Sequence, residues 1–220
     1  MNALILVDLQ NDFTPATPAT PDTSAPADKP DGALAVPQGN DVIPLANRLM
    51  DHFPLVVATQ DWHPPGHRSF ASQHAGHNVG DVIQWKGLDQ ILWPDHCVQS
   101  TFGAEFHADL DLSKVHLVIR KGTDPDIDSY SGFFDNGHRK ATGLDDELKQ
   151  RNVRELCIAG LATDYCVKWT ALDACQLGYP TRVIADACRG VDLNPGDVDH
   201  AWQQMRDAGA EIIQSNDITT

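Results

Sequence analysis

Short apolar, often β-branched runs alternate along the chain with longer amphipathic stretches. The runs are ALILVDL, PLVVATQD, VHLVIRKG, ELCIAGLAT, TRVIADA and EIIQS. Consecutive apolar positions over so few residues are the pattern of strands buried on both faces. The intervening segments DVIPLANRLMDH, LDDELKQRN, CVKWTALDACQLG and DVDHAWQQMRDAG place apolar residues at helical spacing, and several close on Gly or Asn. Strand and helix alternating in this way predict an α/β fold, a three-layer sandwich whose mainly parallel sheet of about six strands carries helices on both faces through right-handed crossovers. In such sheets ligands bind beyond the carboxyl ends of the strands.

Two stretches break the rhythm. Thr14 to Gly32, TPATPATPDTSAPADKPDG, is rich in Pro, Thr, Ala and Asp and reads as a loop insertion, extended or mobile, at about residues 14–32. Phe70 to Leu92 lacks clear periodicity and reads as a long loop over the site. With 220 residues and 41% hydrophobic content, one domain spanning 1–220 can enclose a full core.

A net charge of −15 gives a surface that repels phosphate backbones and anionic lipids, which argues against nucleic-acid and membrane partners. MNALILVDLQ has no basic region and its apolar run stops at Asp8, so it reads as neither a signal peptide nor a span; a cytoplasmic location is expected. Five cysteines without a CxxC pair read as free thiols, with Cys97 and Cys188 on loops, Cys157 mid-strand and Cys175 in the core. A homo-oligomer is compatible with the sequence.

Four strands end in chemically capable residues: Asp8, Asp61 with His63, Lys121, and Cys166 just beyond the fourth. Asp8 and Lys121 on neighbouring strand ends can pair, and either alone reads as structural. Thr163 or Asp164 is suited to cap the next helix, which puts Cys166 in its first turn, where the helix N-terminus favours a thiolate. In DWHPPGH, Asp61 and His63 point to one side of an extended chain, and WPDHC supplies His96. Two imidazoles and a carboxylate suit one divalent metal ion with open positions, Zn²⁺ first and Fe²⁺ or Mn²⁺ as alternatives. His67 and Ser69 are further contributors or outer partners; the remaining histidines read as surface or packing residues.

Taken in order, LVDLQNDF, DWHP, WPDHCV, KG followed by DSYSGFFDN, and GLATDYCV resemble the isochorismatase-like cysteine hydrolases, in their nicotinamidase (pyrazinamidase) branch. The resemblance covers nearly the whole chain apart from the Thr14 to Gly32 insertion. It implies a catalytic triad of Asp8, Lys121 and Cys166, and metal ligands Asp61, His63 and His96 with the metal facing a pyridine nitrogen. It also implies a cis peptide at Leu161–Ala162, an oxyanion hole from the N–H groups of Ala162 and Cys166, and a ring pocket formed by Phe13, Trp93 and Tyr130.

The activity so implied is hydrolysis of a small-molecule substrate, nicotinamide, to nicotinate and ammonia through a thioester, in NAD salvage, with pyrazinamide as a second substrate and no organic cofactor. Relatives acting on other small amides lack this metal set, and a vinyl-ether-cleaving isochorismatase has no need of Cys166. A non-catalytic metal-binding or redox-sensing protein is the alternative from a different class.

Overall fold

The computed structural model describes residues 1–16 and 31–218. Six strands form one parallel sheet: β1 (Asn2–Val7), β2 (Val56–Asp61), β5 (Leu117–Lys121), β6 (Glu155–Leu161), β7 (Thr181–Arg189) and β8 (Glu211–Ile213), in the order β5-β2-β1-β6-β7-β8. Two further strands, β3 (Val82–Trp85) and β4 (Leu88–Ile91), make a separate antiparallel hairpin.

The period of two along each strand sorts its side chains between two cores. From β1, Leu4 and Leu6 join Val56, Ala58, Cys157 and Ala159 on one face, beneath helix α1 (Val42–Leu49), which buries Val42, Ile43, Ala46 and Leu49. Ala3, Ile5 and Val7 join Val57, Leu156 and Ile158 on the other. There α2 (Leu144–Gln150) contributes Leu144 and Leu148, α3 (Lys168–Gln176) contributes Ala171 and Ala174, and α4 (Asp197–Asp207) contributes Met205. Burial on both faces explains why these strands read as continuous apolar runs.

Chain order reverses between β1 and β6, the two central strands, so the crevice beyond their carboxyl ends is where a sheet of this kind accepts ligands. At that point the strands approach closely. A Cβ on Gly160 would lie 2.2 Å from the carbonyl oxygen of Val7, and its φ of +130° is open only to glycine.

Some expectations need correction. Phe70 to Leu92 is not a structureless loop, since it contains the β3–β4 hairpin. Only Gln90 of its strand residues is fully buried, so no buried apolar face marks them, and the turn runs through Lys86 (φ 51°) and Gly87 (φ 81°), with Lys where Asn or Asp is the usual signal. Cys188 lies inside β7, not on a loop, because that strand runs to Arg189. All five cysteines are free, and Cys175 is only half-buried. No helix among the described residues is long and apolar enough to cross a membrane.

Most of the Thr14 to Gly32 insertion, residues 17–30, lies outside the described residues. Its two flanks meet. The Gly32 amide donates to the Thr14 carbonyl at 3.0 Å, and the Ala16 amide to the Asp31 carboxylate at 2.7 Å. Excising residues 17–30 and joining the flanks through a short Gly-containing turn is therefore expected to leave the melting temperature within about 3 °C of the parent, since shortening a closed loop changes its closure entropy by only ~0.6 kcal/mol per halving. Differential scanning calorimetry of the two chains checks this; a fall beyond that range shows that the segment packs on the body.

Candidate active site

Four parallel strands deliver acid, base and metal-binding chemistry to one crevice. Asp8 follows β1 directly with φ of 49°, a left-handed conformation that Asp tolerates better than most residues and that turns its carboxylate across the strand end. Asp61 and Lys121 are the last residues of β2 and β5 and are paired in register. Cys166 arrives after β6, in a π-helical turn (Thr163–Val167) that runs into α3. Neither Thr163 nor Asp164 caps this turn through its side chain. The buried Asp164 carboxylate instead accepts from the amides of Val191 (2.9 Å) and Asp192 (2.8 Å), tying the β7–α4 connection over the crevice. Leu161–Ala162 is a cis peptide.

The centre of the arrangement is Lys121, 1% exposed. Its ammonium donates to Asp61 Oδ1 at 2.6 Å, to the Ser129 carbonyl at 2.9 Å and toward Cys166 Sγ at 3.4 Å. Asp8 Oδ2 lies 2.9 Å from the same nitrogen, so one ammonium is shared between two carboxylates. The other oxygen, Oδ1, accepts from Thr59 Oγ1 at 2.6 Å. The wholly buried carboxylate lies beside the Cys166 thiol, which hydrogen-bonds to it.

Burial pushes the Asp8 carboxyl above the usual range, with Lys121 only partly offsetting it. Burial likewise pushes the Cys166 thiol well above its ordinary value; Lys121 opposes the shift, and Asp8 and Asp61 add to it. This corrects the expectation of a thiolate set by a helix N-terminus. Desolvation, with the two carboxylates adding to it, acts against that effect.

Asp61, His63 and His96 converge beside this group, all buried, with one ligand atom from each within 4.8 Å of the others. His63 Nδ1 meets the Gly122 carbonyl at 3.0 Å and His96 Nδ1 meets the Pro94 carbonyl at 2.8 Å. A carbonyl can only accept, so both rings carry hydrogen on Nδ1 and turn Nε2 toward Asp61 Oδ2, at 3.6 and 3.8 Å. His63 Nε2 is buried without a hydrogen-bond partner. Burial would raise Asp61, but Lys121 and then the two histidines hold it well below the carboxylate range. His96 is pushed down to about 4 by burial, with His63 adding to the effect. Two imidazole lone pairs and a carboxylate facing one point, each ring oriented by an outer partner, fit a divalent cation. His67 and Ser69 bond to each other (2.7 Å) behind His63, and His67 also belongs to a second buried group with His63 and Asp128.

Phe13, Trp93, Tyr130 and Ala162 line a cavity that opens onto Cys166, Asp61 and His96. Asp8 and Lys121 adjoin this cavity through Cys166, and His63 adjoins it through Asp61. The sequence reading missed Thr59, Asp128, Leu34, Val191 and Tyr165. Tyr165 meets Trp93 edge-on at 4.9 Å, and Trp93 Nε1 donates to Tyr130 Oη at 3.0 Å, making a continuous aromatic wall. Tyr165 directly precedes Cys166, and that adjacency was the available signal.

Comparison with known proteins gives the family of the chain as a whole. The isochorismatase domain model matches residues 2–217. The chain belongs to the isochorismatase family. Within that family it is 49% identical over 214 residues to the nicotinamidase of Escherichia coli K12, covering 96% of this chain and 93% of that one. A solved nicotinamidase/pyrazinamidase of Acinetobacter baumanii superposes with a TM-score of 0.90 at 45% identity, covering 99% and 98% of the two chains. A pyrazinamidase of Pyrococcus horikoshii in complex with zinc follows at 0.72 and 36%, covering 97% and 98%.

Gly122 offers a test of the metal set that leaves its ligands intact. A Cβ built there falls 2.4 Å from His63 Cε1, at a φ of +64°. Gly122→Ala is expected to tilt His63 and weaken zinc affinity by about 10–100-fold, the range seen when a ligand's outer partner is lost. Competition against a chromophoric chelator, with the fold verified by circular dichroism, provides the measurement. Unchanged affinity shows that His63 takes no part.

Proposed function

We propose that this chain hydrolyses nicotinamide to nicotinate and ammonia, and pyrazinamide likewise, as a single-domain amidohydrolase with a cysteine nucleophile. The observation that carries the reading is the buried contact of the Cys166 thiol with the Asp8 carboxylate, both beside the Lys121 ammonium. Similarity to nicotinamidases over nearly the full chain supports the substrate. A role in NAD salvage follows from that substrate, and we propose a cytoplasmic location for it.

The ring lies between Phe13, Trp93 and Tyr130, which hold its faces and exclude water. Asp8 Oδ2 takes the Cys166 proton as sulfur attacks the carboxamide carbon; the S–C bond forms and the carbonyl π electrons move to oxygen. Lys121 keeps Asp8 in place and compensates the charge passing between sulfur and carboxylate. The amides of Ala162 and Cys166 face the developing oxyanion, where loss of one donor costs about 10²–10³ in rate. Collapse breaks the C–N bond, and Asp8 returns its proton to the departing ammonia. Water, deprotonated by Asp8, then adds to the thioester, and nicotinate leaves as the sulfur regains its proton.

Asp61, His63 and His96 would hold one divalent ion, zinc first by the chemistry of the donors and by the zinc-bound relative, with iron or manganese as alternatives. When bound, the ion supplies a Lewis acid within reach of a ring nitrogen.

Cys166→Ala is expected to abolish ammonia release, and Asp8→Asn to lower kcat by about 10²–10⁴-fold, the range of a lost general base. A coupled ammonia assay with nicotinamide reads both. Activity within tenfold of the parent in either variant removes that residue from the mechanism. Across substrates, pyrazinamide should be turned over, whereas benzamide, with no ring nitrogen to meet the Asp61, His63 and His96 set, should lose at least about tenfold in kcat/KM. Equal values for benzamide and nicotinamide would show that the ring nitrogen is not recognised.

A further inference from the structure

Asp12 shares the short turn Asn11–Phe13 with a residue of the ring pocket, yet it takes no part in the hydrolysis described above. Its carboxylate reaches two other segments. Oδ2 accepts from the Cys97 amide at 2.7 Å, and Oδ1 accepts from the Ala33 amide at 3.2 Å. The first of these is short for an N–H donor, as expected of a carboxylate acceptor.

The Cys97 amide is a consequential place to hold. It lies in the peptide plane that joins Cys97 to His96, so fixing this N–H fixes the plane that ends at the His96 Cα. Cys97 is fully buried and has φ of 46°, a left-handed conformation that a residue with a side chain adopts only where its surroundings impose it. On its other side the Cys97 carbonyl accepts from the His63 amide at 3.0 Å. Asp12 thus braces one end of a strained turn whose two sides lead to the two imidazoles that face Asp61.

The second arm runs to the cavity. Leu34 and Val36 donate their amides to the carbonyls of Asp12 (2.9 Å) and Phe13 (3.0 Å), which lays the 33–36 segment along the Asn11–Phe13 turn. Leu34 lines the cavity beside Phe13. Two glycines make room for this packing. A Cβ on Gly103 would fall 2.0 Å from Asp12 Oδ2, and one on Gly32 would fall 2.3 Å from the Asp12 carbonyl oxygen.

We infer that Asp12 is a positioning residue of the site: its carboxylate sets both the turn that carries His96 and, through Ala33, the segment that carries Leu34, and so couples the metal ligands to the wall of the ring cavity. The cavity arm rests on the amide-hydrolysis reading for the ring it confines; the metal arm does not. Without Asp12 the buried Cys97 amide loses its acceptor, and the turn relaxes out of the left-handed region, carrying His96 with it. A merely structural acid would lower the melting temperature and leave the affinities of the folded chain alone.

Asp12→Ala removes both acceptors. In the full chain, zinc affinity is read by competition against a chromophoric chelator, and nicotinate affinity by calorimetry at saturating zinc. Zinc is expected to bind about 10–100-fold more weakly, the range for loss of a ligand's outer partner. Nicotinate is expected to bind about fivefold more weakly. Leu34→Ala should reproduce the nicotinate loss with zinc affinity unchanged, which separates the two arms. Asp186→Ala is the control, since its carboxylate takes the Ser215 amide at 2.7 Å in a bond of the same kind beside β8, and its loss should change neither affinity. Where Asp12→Ala does not fold, Asp12→Asn keeps the shape and offers one oxygen to two amides, so at least one of the two affinities should fall. Zinc affinity within about threefold of the parent in folded Asp12→Ala overturns the assignment. So do both affinities retained in Asp12→Asn, or a zinc loss of equal size in Leu34→Ala or Asp186→Ala. Failure of the parent to bind nicotinate or to release ammonia would count against amide hydrolysis alone, because the zinc measurement needs neither.

Discussion

One buried ammonium holds the crevice together. Lys121 sits at the end of a strand with its Nζ within 2.9 Å of carboxylates from two neighbouring strands, Asp8 and Asp61. Burying a charge costs several kcal/mol even after relaxation, and a buried carboxylate left alone costs as much. Two acids and one base, all desolvated, are therefore tolerable only together. Register makes this arrangement possible, since β2 and β5 pair so that Asp61 and Lys121 are direct neighbours, while β1 places Asp8 one strand further along. The same cation also splits the chemistry in two. It holds Asp61 ionised for the imidazole pair, and it offsets only part of the burial that raises Asp8, leaving that acid basic.

Much of this was readable before the chain was folded. Strands buried on both faces announce themselves as apolar runs, so the six sheet strands and four helices appear where the pattern put them. A charge at the end of such a run, as at Asp8, Asp61 and Lys121, stands out because nothing in the run would otherwise accommodate it. The β3–β4 hairpin was not readable, since neither strand buries a full face and the turn uses Lys86. Nor was the division of labour at Lys121. Sequence suggested a Lys121 to Asp8 pair, whereas the contact to Asp61 depends on a register that no local pattern encodes. The proton on Cys166 was misjudged for a similar reason. A helix N-terminus is visible in sequence, but the burial that opposes its effect is a property of the fold, and the two carboxylates that add to it come from strands more than a hundred residues away.

The aromatic wall shows a different limit. Trp93, Tyr130 and Tyr165 arrive from three separate segments and contact one another edge-on or through a single hydrogen bond. Each is an unremarkable residue in its own stretch of chain. Only the topology that brings the 93, 130 and 165 segments over the β1–β6 switch turns them into one surface.

The two imidazoles in the crevice are oriented by main-chain carbonyls, those of Gly122 and Pro94. A point substitution cannot delete a carbonyl. The centre is thus indifferent to much change in the chemical character of its surroundings and sensitive to their shape. Over evolutionary drift, the neighbouring side chains are free to vary so long as the backbone at 94 and 122 keeps its course, which makes conformational constraint, more than residue identity, the quantity that selection on these ligands must preserve.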